Sequence, residues 1–198
     1  MIHFDRDCEP ASDIVVLRII DRDTMSSKDS GFVIGDDTLR NLRLGFARVE
    51  KIGQEAKENT GLDVGAYVFY DKLATFYHTE PVAMLRWNAI IMETNLEKTK
   101  YRAMAGRCIV QEVDDKCGSG DSGFIIPTSD ELKIGVIKSI TPPYTMNPDA
   151  YPFKVGDKIL LTKDERDTLN GFKGDKELDP SKPIYIYKTD AIICKIND

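Results

Sequence analysis

Residues 117–127 read CGSGDSGFIIP, and three chemistries compete for them. GSGDSG fits the dinucleotide pattern G-x-G-x-x-G, and GDSG at 120–123 is the tetrapeptide around the nucleophile of trypsin-like serine proteases. The third reading is a polar Gly/Ser tether that presents the apolar residues after it. A dinucleotide loop must follow a strand and open a helix, whose N-terminus then holds the pyrophosphate. Here the glycines run into FIIP, an extended apolar run that stops at a proline, and no βαβ pattern surrounds it. A protease nucleophile needs a histidine base oriented by a carboxylate. The only histidines are His3 and His78, and neither has such a setting.

The rest of the chain favours the third reading, because the stretch occurs twice. KDSGFVI at 28–34 keeps Ser-Gly and three apolar residues but loses the first glycine. Around both copies the same elements recur in the same order. DIVVLRII (13–20) matches GRCIVQEV (106–113), and FARVEKIG (46–53) matches IGVIKSIT (134–141). VGAYVFY (64–70) matches VGDKILL (155–161), and WNAIIME (87–93) matches TDAIICKI (189–196). Such an ordered series reads as a tandem duplication. The boundaries are a first unit at 1–95, a linker at 96–104 and a second unit at 105–198. The linker LEKTKYRAM has a composition that also suits a short helix.

Within each unit the apolar runs are short, rich in Val and Ile, and bounded by Gly, Pro, Asp and Ser, which is the signature of strands. AMLRWNAIIM comes nearest to a helical period, but its isoleucines favour a strand. The expected class is all-β, with two tandem small barrels or sandwiches. A polar segment precedes each apolar triplet, DRDTMSSKDSG before Phe32 and DDKCGSGDSG before Phe124. Such composition orders poorly by itself, so the triplets suit hooks that fold on binding. From composition alone they better suit edge strands packed in the core, since short apolar runs are usually core.

Composition narrows the function. The 198 residues are 41% hydrophobic, enough for a core, and carry a net charge of −6. That charge argues against a nucleic-acid partner, since phosphate binding needs a basic surface. No run reaches the length of a membrane span, and MIHFDRDCEP lacks the features of a signal peptide, so a cytoplasmic protein without a membrane partner is expected. The cysteines Cys8, Cys108, Cys117 and Cys194 form no C-x-x-C pair, so reduced thiols are expected and no metal site or cofactor. The charged stretch at 163–183 reads as a solvated loop. No catalytic residues are assigned.

In order and repetition, each unit resembles the GroES family, the ten-kilodalton co-chaperonins. The matching runs are IVVLRI (14–19), SGFVI (30–34), ARVEKIG (47–53), VGAYVFY (64–70) and NAIIM (88–92) in the first unit. In the second they are CIVQEV (108–113), SGFIIP (122–127), GVIKSI (135–140), VGDKILL (155–161) and DAIIC (190–194). The double unit is similar to the tandem co-chaperonins of chloroplasts. The resemblance implies two GroES-like barrels and a lid for a GroEL-type chaperonin, which folds clients in an ATP-driven chamber. It implies chaperonin-binding hooks at Phe32, Val33 and Ile34 and at Phe124, Ile125 and Ile126. Their tethers would be Ser30, Gly31, Ser122 and Gly123.

Burying three such side chains yields at most ~5–9 kcal/mol, of which ordering the loop consumes roughly 2–5 kcal/mol. Several loops on a homo-oligomeric ring would therefore have to act together. The resemblance further implies subunits joined by pairing an N-terminal strand with a neighbour's C-terminal strand. The segments implied are Ile14 to Ile20, Ala89 to Met92, Cys108 to Val113 and Ala191 to Ile196. Several features depart from the family: Phe32 and Phe124 where an aliphatic residue is usual, Ala47 in place of a glycine, Ala66 in place of the aspartate of V-G-D, the short roof segment QEAKENTG at 54–61, the long proline-rich TPPYTMNPDAYPFK at 141–154 and the insertion at 163–183. They also fit an alternative, a non-catalytic structural or assembly ring protein, for instance of a virus particle, on the same fold.

Overall fold

A computed structural model describes residues 9–20, 44–79, 81–113, 132–162, 166–168, 178, 182 and 184–196. It divides the chain into two compact units, Met1–Met104 and Ala105–Asp198. The first unit holds strands β1 (Ile14–Ile19), β2 (Leu44–Ile52), β3 (Tyr67–Asp71), β4 (Thr75–Thr79), β5 (Val82–Arg86), β6 (Ile90–Thr94) and β7 (Tyr101–Ala103), with helix α1 (Gln54–Thr60). The second holds β8 (Arg107–Glu112), β9 (Leu132–Thr141), β10 (Lys158–Thr162), β11 (Arg166–Thr168), β12 (Ile184–Lys188) and β13 (Ile192–Lys195).

All the pairings are antiparallel. The first sheet runs β4-β5-β1-β2-β3-β6-β7 and the second β11-β12-β8-β9-β10-β13. Among the described residues each sheet runs from one edge strand to another and neither closes. The class is therefore all-β with two open antiparallel sheets, where two small barrels were expected.

The two strand orders coincide, apart from β7, and the agreement extends to single residues. Pairing of β1 with β5 sets Val15 opposite Leu85, and pairing of β8 with β12 sets Cys108 opposite Tyr187. The β1–β2 ladder shifts register between Val16 and Leu17, and the β8–β9 ladder between Ile109 and Val110, the same step of each strand. A second shift falls at Phe69/Tyr70 in one unit and at Leu160/Leu161 in the other. Such irregularities re-aim a strand and increase its twist.

Each segment expected as one closing strand ends as that strand, β6 or β13, but begins with a corner. In the first, a 3-10 turn at Trp87–Ala89 separates β5, which pairs with β1, from β6, which pairs with β3. The turn at Thr189–Ala191 separates β12 from β13 in the same way. Ala89 and Ala191 are both buried, because the corner brings that position against the core.

The core of the first unit gathers Val15, Leu17, Val49, Val68, Tyr70 and Leu85, and that of the second Cys108, Val110, Ile137, Ile159, Leu161 and Tyr187. In β1, Val15 and Leu17 are fully buried while Arg18 is exposed, the alternation expected of a strand with one face covered. Two local features differ from the sequence reading. QEAKENT forms α1, closed by Gly61 at φ 64°, whose N–H donates to the Lys57 carbonyl. Its buried face is only Ala56 and Thr60, too short to register as an apolar period. The linker holds no helix: Asn95 Oδ1 accepts from the N–H groups of Thr99 and Lys100, a turn that returns the chain as β7 alongside β6.

β1 and β8 each have neighbours on both sides, β5 with β2 and β12 with β9. That corrects the expectation for Ile14 to Ile20 and Cys108 to Val113 as seams between subunits: the hydrogen bonds of β1 and β8 are used within their own units.

Candidate functional site

All ten residues of the two expected hooks and tethers, Ser30 to Ile34 and Ser122 to Ile126, lie outside the described residues. The structure does define where those segments are rooted. Residues 21–43 connect β1 to β2, and 114–131 connect β8 to β9, so each leaves one strand and returns on its direct neighbour. The last hydrogen bond before each departure is the same one. Ile20 N–H donates to the Phe46 carbonyl at 3.1 Å, and Val113 N–H donates to the Ile134 carbonyl at 3.0 Å. The two connections therefore start from the same end of equivalent strand pairs.

In the first unit this end of the sheet is also apolar at its surface. Leu44, where the chain re-enters the sheet, stands opposite Asp71, the last residue of β3. Asp71 Oδ1 accepts from the Leu73 N–H at 3.0 Å and starts a 3-10 turn that projects Leu73, 80% exposed. Phe76, 59% exposed, lies near the start of β4 and further from this end, across β5 from Val15 and Val16. Next to Leu44, Gly45 admits the Tyr70 ring, whose hydroxyl lies 3.3 Å from His78 Nε2. The sequence does not single out Leu73, because one apolar residue in DKLATFYH is ordinary until the pairing of Leu44 with Asp71 sets it near a loop root.

The opposite end of each unit is built differently. In the first, α1 leads through Leu62 to the turn at Gly65; in the second, Pro142 to Lys154 lead to the turn at Gly156, with Tyr144 and Met146 exposed on the way. Asp157, next to Gly156, accepts from the Lys154 N–H at 2.9 Å and from Lys195 Nζ at 2.6 Å. The Lys195 ammonium, with the Lys154 amide, holds this carboxyl below the usual carboxylate range. At the matching position Ala66 has no carboxylate, and Lys57 pairs with Asp63 instead, at 2.9 Å.

The chemistry-bearing groups are dispersed. Burial in the second core pushes the Cys108 thiol up to about 12, which leaves it protonated and unreactive near neutral pH. Cys194 is exposed on β13. Among the described residues no group of three or more His, Cys, Asp or Glu could hold a metal ion, and no helix is long and apolar enough to cross a membrane. In comparisons with known proteins, no family model and no characterised protein matches the chain.

Proposed function

We propose that the chain is a tandem GroES-like co-chaperonin, a lid that caps a GroEL-type chaperonin through its two apolar triplets and assists ATP-dependent folding. One observation carries the reading. The segments bearing SGFVI and SGFII leave equivalent strand ends in two sheets of the same strand order. Two matched hooks per chain suit a multivalent cap, because each triplet is weak and linked sites multiply. Matching strand order, matching register shifts and the sequence repeat support descent of the units from one duplicated GroES-like module.

The test replaces Phe32, Ile34, Phe124 and Ile126 together by serine. In a pull-down with a GroEL-type chaperonin and nucleotide, wild-type protein should be retained and the quadruple variant lost. Both should elute identically in size exclusion. Retention of the variant overturns the hook assignment.

A second reading rests on the exposed Tyr144 and Met146 in the long segment of the second unit. It makes the protein a structural or assembly ring component on the same fold. Wild-type protein that forms oligomers yet ignores every chaperonin offered would favour it.

A further inference from the structure

The face of the first sheet turned away from the core carries an unfavourable pairing that the second sheet lacks. Pairing of β1 with β2 sets Arg18 directly opposite Arg48, and pairing of β2 with β3 sets Tyr67 on the other side of Arg48. Both arginines are exposed. Like charges directly opposite on a sheet are destabilising. Glu50, two residues along β2 from Arg48, accepts from Arg18 Nε at 2.9 Å and from Nη2 at 3.4 Å. One carboxylate therefore answers one guanidinium of the pair. The Arg48 guanidinium lies elsewhere, beside the turn at Gly65, with Nη2 3.4 Å from where a Cβ would stand. Tyr67 stacks on Phe46 at 6.0 Å, and Lys98 Nζ sits 4.3 Å from the Phe46 ring centroid, a third cation on this face.

The repeat shows that the fold does not require this arrangement. The register shifts make Leu17 and Val110 equivalent, so Arg18, Arg48 and Tyr67 correspond to Gln111, Val136 and Lys158. Gln111 is 4% exposed and uncharged. The same row of the sheet is thus built without an arginine pair in one copy, and the charge is particular to the other. We propose that Arg18, Arg48 and Tyr67 form a docking surface for an acidic segment of a partner protein, bound once per chain.

The chemistry selects that occupant. A carboxylate takes a guanidinium fork through two parallel hydrogen bonds, and one set between two arginines also removes their repulsion. A lone small anion would gain little on an open face, because a single exposed ion pair is weak. Several contacts carried by one segment are needed, and they add through linkage. Tyr67 supplies a hydroxyl donor for a further carboxylate and a ring for the side-chain stems. A nucleic acid fits less well. Its affinity comes from many cations on phosphates, whereas here Glu50 stands beside the arginines and the chain carries a net charge of −6. None of this depends on the chaperonin reading.

The test uses the full chain and a fluorescein-labelled peptide of ten glutamates, read by anisotropy at low ionic strength. Wild-type protein should bind it, with affinity falling as salt is added. Arg48→Ala should weaken binding roughly tenfold, and Arg48→Lys should recover only part of the loss, since an ammonium lacks the fork. Lys158→Ala, at the matching place in the second unit, should bind as wild type does. The denaturation midpoint of Arg48→Ala should stay level or rise, because the substitution relieves the repulsion from Arg18. A lowered midpoint would mark Arg48 as structural and overturn the proposal. So would failure of wild-type protein to bind the peptide, equal binding by Arg48→Ala, or tighter binding of a ten-residue thymidine oligonucleotide.

Discussion

Gly65 and Gly156 hold the same backbone conformation, at φ 95° and 93°, immediately before β3 and β10. Each donates its N–H at 2.8 Å to the carbonyl of the matching residue of the neighbouring strand, Val49 and Ile137 respectively. A side chain at positive φ is strained, so alanine at either position should cost about 1–2 kcal/mol. A Cβ at 156 meets nothing within 4 Å, so that loss is purely conformational. Chemical denaturation monitored separately for the two units should find each substitution destabilising its own unit, and an unchanged midpoint for Gly156→Ala would contradict this account.

Gly135 carries a different requirement. A Cβ there would collide with Cγ1 of Val110 on β8. The matching pair in the first unit is Ala47 with Leu17, both fully buried, where leucine branches one carbon further out. Gly135→Ala is expected to cost about 1–3 kcal/mol through overpacking. Most of that should return when Val110→Ala is added, beyond what Val110→Ala costs alone, as a double-mutant cycle would read.

Cys108 links stability to alkaline pH. Its folded thiol is raised from 9.0 to about 12 by burial. The neutral thiol is thus favoured by folding, and its contribution is intact below pH 9. It is lost as pH rises from 9 toward 12, because the unfolded chain ionises first. Cys108→Ala should flatten this alkaline decline while lowering stability at pH 7. In a variant retaining only Cys108, a thiol reagent at pH 8 should react only on unfolding.

Asp157 gives the opposite sign. Its carboxyl is held below the ordinary 3.8, so its contribution is present above that pH and fades as pH falls through the folded value. Asp157→Ala removes the tie to Lys195 and the Lys154 amide. Amides of Ile192 to Ile196 should exchange severalfold faster in deuterium exchange, those of β6 remaining as before.

Much of the fold was legible because strands announce themselves locally. Short β-branched runs bounded by turn residues marked β1, β2, β8, β9 and β10, and repetition of those runs marked the two units. The helix at Gln54–Thr60 escaped, since a single buried alanine and threonine make no periodic signal. The corners at Trp87 and Thr189 escaped as well, since strand-like runs flank each turn, VAMLR and IIMET in the first unit and IYIYK and IICK in the second.

The order of the repeated strands, the positions of the apolar triplets and the matching of the halves were determined by the sequence alone, because each is a local or repeated pattern. Which strands lie inside a sheet and which end it was decided only by tertiary pairing. The run IVVLRI could serve at an edge or in the interior, and hydrogen bonds to β2 and β5 make it interior. Glu93 and Arg102 are ordinary charges in the sequence. They become a cross-strand pair once β7 lies along β6, because cross-strand neighbours are set by register between distant segments.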